Sequence, residues 1–277
     1  MKPAKFISSL LLCAILLGFT SSVKKDHWKT LFNGKDLTGW DTYLAPDMDD
    51  AGKPITNQPI GLNNDPNHVF TVVDQDGEKV IRISGQNWGA ISTTNAYENY
   101  HFQLQFKWGD LKWGQKKGKK KDSGLLYNSV GPYGFEYGSW MRSLEFQIEE
   151  GNCGDLWCVG GTLSDVPVTA KSDSEYVYNP KGTLTTFSQG SKVGRHCIKQ
   201  GDAENPSGQW NTLDLYCHGD TSIHVVNGKV MMVLYHNRQP DTPLNKGKIQ
   251  LQSEGAEVFY RKIKIQQIDK LPKELVK

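Results

Sequence analysis

Residues 100–108 read YHFQLQFKW, an unbroken alternation of apolar and polar side chains. Successive side chains of a β-strand point to opposite faces, so this period of two predicts a strand with one buried face. The buried face would carry Tyr100, Phe102, Leu104, Phe106 and Trp108. The polar face would carry His101, Gln103, Gln105 and Lys107.

Similar short strands recur along the chain, with turn-forming dipeptides between them. Asp76-Gly77 and Asn227-Gly228 each separate two such strands. Asn-Gly suits the type I′ hairpin turn, in which both central residues need positive φ. The predicted strands are 69–73, 80–83, 210–217, 223–226, 229–234 and 258–265. With 28 glycines and no regular succession of strand and helix, the pattern predicts an all-β, antiparallel sandwich.

The first residues predict a secretory signal peptide. Lys2 and Lys5 form a basic start, residues 6–19 are mostly apolar, and small residues up to Ser22 offer a cleavage site. The apolar run is too short for a transmembrane helix, so no integral membrane segment would remain after cleavage. Leu12 stands where a lipoprotein needs a small residue before its cysteine, so a lipoprotein is less favoured. We expect a signal peptide at 1–22 and one domain at 23–277.

Cleavage would leave 30 basic and 30 acidic residues, because the signal peptide contains two lysines and no acidic residue. A neutral chain does not predict a nucleic-acid partner or electrostatic attachment to a membrane. A lysine-rich stretch at 116–121 reads KKGKKK and is interpreted as a solvated loop tip.

Four cysteines follow the predicted signal peptide: Cys153, Cys158, Cys197 and Cys217. An even number in an exported protein predicts two disulfides, for which three pairings exist. We favour Cys153–Cys158 and Cys197–Cys217. The Cys-x4-Cys spacing has no matching second pair of cysteine or histidine, which argues against a zinc site.

A second alternating stretch, residues 144–150, reads LEFQIEE. One side would carry Leu144, Phe146 and Ile148, and the other Glu145, Gln147 and Glu149. A solvated strand face usually mixes Lys, Thr and Ser, whereas this face aligns carboxylates and an amide. We therefore expect it to face a polar ligand. Two long insertions, 45–67 and 166–207, are expected to wall that ligand site.

Several pieces, in order, resemble the 3-keto-disaccharide hydrolase domain family over nearly the whole mature chain. They are LFNGKDLTGW at 31–40, DSG at 122–124, LEFQI at 144–148, QWN at 209–211, VNG at 226–228, GKIQLQ at 247–252 and FYRKI at 259–263. The family pattern has Asn where this chain has Asp122.

The resemblance implies a concanavalin A-like jelly-roll β-sandwich. It also implies action on glycosides whose C3 hydroxyl has been oxidised to a ketone, through 3-keto-glycoside lyase or 3-keto-2-hydroxyglucal hydratase steps. Such enzymes belong to exported carbohydrate-degrading systems, so the expected location is the periplasm of a Gram-negative bacterium.

The ketone acidifies the C2 proton, so Glu145 or Glu149 would act as the base, and a cation would support the resulting enolate. Arg142, Lys107 or a bound metal cation would serve, although the parity of Arg142 is opposite to that of Glu145. The catalytic candidates are Glu145, Gln147, Glu149 and Arg142. The substrate-binding candidates are Lys107, Asp122, Tyr127, Trp88, Trp157, Gln252 and Glu254.

The sequence identifies no definite cofactor, but a divalent cation such as Ca²⁺ is a candidate because acidic loops are abundant. His218 and His224, expected on the outer side of neighbouring strands, are a candidate pair of metal ligands.

Two other functions stay open. The first is a jelly-roll β-glucanase, whose catalytic strand has the pattern Glu-x-Asp-x-(x)-Glu; here Gln147 stands in place of the central Asp. The second is a non-catalytic glycan-binding module that stacks sugars on aromatic side chains. Its candidates are Trp88, Trp113, Trp140, Trp157, Tyr127 and Tyr133.

Overall fold

The computed structural model describes residues 27–49 and 51–276, together with Met1. The predicted signal peptide, apart from Met1, lies outside these residues. Within the described ranges, no helix is long and apolar enough to cross a membrane.

The described part of the chain forms 21 β-strands and two 3-10 helices, Gly114–Lys116 and Lys273–Leu275. The strands are β1 Lys29–Thr30, β2 Trp40–Leu44, β3 Gly61–Leu62, β4 Phe70–Gln75, β5 Glu78–Ile83, β6 Gly89–Thr93, β7 Tyr97–Glu98, β8 Tyr100–Lys112, β9 Asp122–Val130, β10 Arg142–Glu149, β11 Leu156–Val159, β12 Leu163–Ala170, β13 Tyr176–Tyr178, β14 Thr183–Ser188, β15 His196–Cys197, β16 Asn211–His218, β17 Thr221–Val226, β18 Lys229–Gln239, β19 Thr242–Pro243, β20 Lys246–Ser253 and β21 Ala256–Gln267.

The strands form two sheets, and every pairing between named strands is antiparallel. The larger sheet has the order β13-β12-β18-β17-β16-β8-β21-β5-β4, with β1, β14 and β19 attached at its sides. The smaller has the order β15-β11-β10-β9-β20-β6-β2-β3, with β7 attached to β20. The predicted all-β sandwich of the jelly-roll type is confirmed.

The core lies between the sheets and follows the predicted alternation. In the larger sheet, the apolar residues of β8 from Tyr100 to Trp108 are at most 3% exposed. In the smaller sheet, Leu144, Phe146 and Ile148 of β10 are completely buried. These side chains belong to one hydrophobic cluster, so the inner faces of the two sheets share a single core.

Both predicted hairpins form. Strands β4 and β5 pair across Asp76-Gly77, and β17 and β18 pair across Asn227-Gly228. Asn227 and Gly228 have φ values of 47° and 79°, the positive values that the Asn-Gly turn was expected to supply.

The two predicted disulfides do not form: all four described cysteines are free and buried. Cys197 lies in β15 of the smaller sheet, whereas Cys217 lies opposite Tyr100 in the larger sheet, so the sandwich separates them. Cys158 points into the core, where its Sγ contacts the Phe187 carbonyl oxygen. The even number of cysteines therefore misled the pairing prediction, because all four thiols stay free.

The insertion predicted at 166–207 is largely ordered strand. It completes β12 and forms β13, β14 and β15, so it extends both sheets. The insertion at 45–67 instead borders a smaller surface cavity of about 210 Å³.

Replacing Phe146 by alanine tests the shared core. Phe146 is completely buried and stacks on His224 with ring centroids 4.2 Å apart. We expect Phe146→Ala to lower the free energy of unfolding by about 3–5 kcal/mol, because a large buried side chain leaves a cavity. Chemical denaturation measures this change.

Phe135→Ala is the matched control, because Phe135 is 47% exposed. It packs against the Arg142 guanidinium group and should cost less than about 1 kcal/mol. Equal effects of the two substitutions would contradict the shared core.

Candidate active site

A cavity of about 430 Å³ opens on the outer face of the smaller sheet, above β9, β10 and β11. Since Leu144, Phe146 and Ile148 point into the core, the alternate residues of β10 point outward. These are Glu145, Gln147 and Glu149, and all three line the cavity.

Strand register brings further predicted residues to the same place. Glu145 lies directly opposite Trp157 of β11. On the other side of β10, Gln147 lies opposite Gly124 and Glu149 lies opposite Asp122. Directly opposed residues of an antiparallel pair project to the same face, so β9 and β11 add their side chains to the row on β10.

The lack of a side chain at Gly124 leaves room for two neighbouring side chains. A Cβ atom at this position would overlap the side-chain oxygens of Glu145 and Gln252. The missing side chain therefore lets the Glu145 carboxyl group and the Gln252 amide approach each other over the β9 backbone.

The cavity concentrates carboxyl groups with perturbed pKa values. Burial raises the pKa of Glu145 well above its usual value, and the neighbouring Asp122 raises it further. Burial, Asp122 and Glu145 likewise raise the pKa of Glu254. Burial raises the pKa of Asp122 to about 6, although Lys116 acts in the opposite direction. These acidic side chains of the cavity therefore release their protons at a higher pH than exposed carboxyl groups do.

Two cations line the same cavity. Lys116 forms an ion pair with Asp122. Arg195 donates hydrogen bonds to Glu136 Oε1 at 2.8 Å and to the Tyr137 hydroxyl at 3.0 Å. Both cations lower the pKa of Glu145, but not enough to offset the effect of its burial.

Aromatic side chains form another wall of the cavity. Trp88 and Trp140 stack with ring centroids 5.5 Å apart, and Tyr137 meets Trp140 edge-on at 6.3 Å. Trp157 stacks on His196, and the Arg195 guanidinium carbon lies 5.2 Å from its ring centroid. Aromatic faces beside hydrogen-bonding groups suit a sugar, which has apolar C–H faces and a polar rim.

Two buried acceptors in this region lack a hydrogen-bond partner among the described residues: Asp122 Oδ1 and Gln252 Oε1. An unsatisfied buried acceptor costs free energy, so each is suited to a donor brought by a ligand. The hydrogen bonds of the described residues also include none to the Glu145 carboxyl group, which leaves it available to a substrate.

The structure places Arg142 outside the cavity. Its guanidinium group donates hydrogen bonds to the Gly160 carbonyl oxygen at 2.7 Å and to Gln239 Oε1 at 3.0 Å. The pairing of β10 with β9 shifts register next to Arg142, but the shift does not turn the side chain towards Glu145. The expected role of Arg142 beside Glu145 is therefore corrected.

Tyr127 also lies outside the cavity. It stands two residues from the core residue Leu125 on β9, so its side chain points into the core as well. It is completely buried, and its hydroxyl lies 2.8 Å from Ser222 Oγ and 3.0 Å from His224 Nε2. Tyr127 therefore does not face a sugar. His224 takes part in the same contact and is also buried, so its side chain does not point outward as expected.

Lys107 belongs to the outer face of the larger sheet. Its Nζ pairs with Asp76 Oδ2 at 2.6 Å and lies 5.2 Å from the Trp210 ring centroid. The alternation of side chains along β8 was predicted correctly, but this alternation cannot show which of the two sheets borders the cavity. The expectation that Lys107 binds substrate is corrected accordingly.

Sequence reasoning missed Lys116, Arg195, Glu136 and Tyr137 as cavity residues. Lys116 was assigned to a solvated loop tip, but its pairing with Asp122 draws it inward. Its proximity to Asp122 in the sequence was the one available signal. Arg195 and Glu136 come from separate loops and join only in three dimensions.

The site does not fit the divalent cation considered from the sequence. Among the described residues, no three His, Cys, Asp or Glu side chains form a group able to hold a metal ion. Asp122, one of the carboxylates of the cavity, already pairs with Lys116.

The fold resembles several solved structures at low sequence identity. Two crystal structures from Parabacteroides distasonis ATCC 8503, each provisionally assigned as a glycosyl hydrolase, are 18% and 20% identical and have TM-scores of 0.47 and 0.48. The matches cover 87% and 88% of this chain and 94% and 100% of the respective structures. A Bacillus subtilis protein of unknown function with a galectin-like fold is 11% identical over 72% of this chain and 86% of its own, with a TM-score of 0.45.

No curated protein matches the chain. A family model does: the one described as a 3-keto-alpha-glucoside-1,2-lyase-like domain matches residues 27–266, nearly all of the described chain. The protein therefore belongs to the 3-keto-disaccharide hydrolase domain family.

Proposed function

We propose that this protein is an enzyme that cleaves 3-keto-glycosides by elimination, after a base has removed the proton at C2. The observation that carries the proposal is a buried group of carboxyl side chains with raised pKa values, facing an aromatic wall in one cavity. Membership of the family supports the substrate class.

The ketone makes this chemistry accessible to carboxylates. When the C2–H bond breaks, its electron pair delocalises onto the C3 oxygen as an enolate. The enolate then re-forms the C3 carbonyl, a double bond forms between C1 and C2, and the C1–O bond to the leaving group breaks. Addition of water to that double bond would complete a net hydrolysis and return a proton to C2.

Glu145 is the proposed base. Its side chain faces the cavity, is only 6% exposed and accepts no hydrogen bond from a described residue. Because burial raises its pKa, its ionised form is a stronger base than an exposed glutamate. Lys116 and Arg195 support that ionised form by their positive charges.

Glu254 is the proposed acid. Burial and the charges of Asp122 and Glu145 favour its protonated form, so it keeps its proton when Glu145 is ionised. Neighbouring carboxyl groups that cannot both ionise divide into a base and an acid, as general acid–base catalysis requires. Glu254 would protonate the departing oxygen, while the aromatic wall holds the leaving group.

Export through the predicted signal peptide would place this enzyme in the periplasm of a Gram-negative bacterium, where it would meet oxidised glycosides taken up from outside.

One observation favours a second candidate, the β-glucanase type of hydrolase: Glu145 and Glu149 lie on one strand face in the same cavity. Incubation with a plain glucoside and its 3-keto counterpart separates the candidates. The elimination mechanism predicts cleavage of the 3-keto compound alone. Cleavage of the plain glucoside would favour the β-glucanase, and binding of both without turnover would favour a glycan-binding module.

Glu145→Gln tests the base directly. The substitution keeps the size and hydrogen-bonding capacity of the side chain but removes the proton acceptor. We expect kcat on a 3-keto-glucoside to fall about 10²–10⁴-fold, the usual contribution of a positioned general base. Steady-state kinetics with product analysis measures the change.

Glu98→Gln is the matched control, because Glu98 is exposed, pairs with Lys246 and does not line the cavity. It should leave kcat unchanged. If Glu149→Gln abolishes activity while Glu145→Gln does not, the cavity is right but the proposed base is wrong.

Stability should report the raised pKa of Glu145 independently of activity. A carboxyl group whose pKa is higher in the folded than in the unfolded state binds its proton more tightly when folded. The contribution of Glu145 to the free energy of unfolding therefore decreases as the pH rises above the pKa of glutamate in the unfolded chain, about 4.3, towards its pKa in the folded protein. We expect Glu145→Gln to be more stable than wild type at neutral pH, by a margin that shrinks towards pH 4.

Thermal unfolding of both proteins between pH 4 and pH 8 measures this margin. A margin that is constant with pH, or that grows as the pH falls, would show that folding does not raise the pKa of Glu145.

A further inference from the structure

Lys116 is built into the cavity although its sequence neighbours are exposed. It ends the 3-10 helix Gly114–Lys116, and its side chain is 17% exposed. The loop is docked by the Trp113 amide, which donates a hydrogen bond to the Gly255 carbonyl oxygen at 2.8 Å. A Cβ atom at Gly255 would lie 2.7 Å from Lys116 Cγ, so the glycine makes room for the lysine.

The ammonium group faces negative charge from several elements. It pairs with Asp122 of β9, and Glu254 and Glu149 also act on it. Burial alone would lower the pKa of Lys116, but these carboxylates outweigh burial and raise it. The lysine therefore stays positively charged at neutral pH, and its amine is not a free nucleophile.

Asp122 uses only one of its two oxygens. Oδ2 contacts Lys116, whereas Oδ1 is buried without a hydrogen-bond partner among the described residues. The pair thus presents a donor, Lys116 Nζ, next to an acceptor, Asp122 Oδ1. An α-hydroxyketone presents the complementary arrangement, a carbonyl acceptor next to a hydroxyl donor.

The spacing to the proposed base suits one sugar ring. The Glu145 carboxyl group lies over Gly124, two residues from Asp122 on the same strand, or about 7 Å along β9. A base in contact with the C2 proton and a cation in contact with the C3 oxygen, each at about 3 Å, need a separation of this order.

Resting on the proposed function, we propose that Lys116 and Asp122 together recognise the α-hydroxyketone of the substrate, and that Lys116 stabilises the enolate at the C3 oxygen. The ketone oxygen accepts a hydrogen bond from Lys116, and the C4 hydroxyl donates one to Asp122 Oδ1. When Glu145 removes the C2 proton, negative charge appears on the oxygen that Lys116 contacts. This contact strengthens in the transition state, so it lowers the barrier rather than only improving binding.

The test isolates enolisation from cleavage. The probe is 1,5-anhydroglucitol oxidised to a ketone at C3, which carries no aglycone at C1, so removal of its C2 proton leads to exchange with solvent rather than to loss of an aglycone. In deuterated water, loss of the C2 proton signal in the NMR spectrum gives the exchange rate. The proteins compared are wild type, Lys116→Gln, Lys116→Arg, Asp122→Asn and Lys119→Gln.

We expect Lys116→Gln to lower the exchange rate at saturating probe about 10²–10³-fold, the range found when one preorganised oxyanion donor is removed. Lys116→Arg keeps the charge and should recover part of the rate. Asp122→Asn keeps an acceptor and should lose less than Lys116→Gln. Lys119→Gln, an exposed lysine of the same loop, should match wild type.

Circular dichroism and thermal unfolding establish that each variant is folded. If Lys116→Gln is not folded, Lys116→Met is used in its place. Exchange by folded Lys116→Gln or Lys116→Met at the rate of Lys119→Gln would overturn the role of Lys116 while leaving the proposed function intact. Absence of exchange with wild type would instead overturn the proposed function and this inference together.

Discussion

The structure depends on the burial of one face of β10 against the larger sheet. Phe146 and its apolar neighbours fill the shared core, and this packing fixes the register of β10 against β9 and β11. Because the side chains alternate, the same register aims Glu145 outward at the cavity. Stability and chemistry thus come from opposite faces of a single strand, and a shift of one residue would exchange them.

The carboxyl groups on the outward face of the smaller sheet lower the stability of the fold. Glu145 and Glu254 lie close to Asp122, and burial disfavours the ionised form of each carboxyl group. Lys116 and Arg195 offset part of this cost from loops on either side. The remaining electrostatic strain gives the cavity proton donors and acceptors that an exposed set of glutamates would lack. Such a sacrifice of stability for function is common where catalytic groups are preorganised.

The sequence predicted what depends on local periodicity. The β8 and β10 strands, the Asn227-Gly228 turn and the outward row on β10 all follow from period two and turn chemistry. It did not predict long-range partners. Parity placed Lys107 on a polar face but could not tell that this face belongs to the other sheet, and counting cysteines could not show how far apart the sandwich holds them. Arg195 and Lys116 reach the cavity from loops whose paths are set by tertiary packing.

Elimination requires the C2–H bond of the substrate to break during catalysis. A 3-keto-glucoside carrying deuterium at C2 tests it most directly, with the sugar product analysed by mass spectrometry and NMR after reaction in ordinary water. Elimination predicts that the product has lost its deuterium to the solvent. Direct displacement at C1, as in a glycosidase, leaves the C2–H bond intact, so full retention of deuterium in the cleaved sugar would contradict elimination.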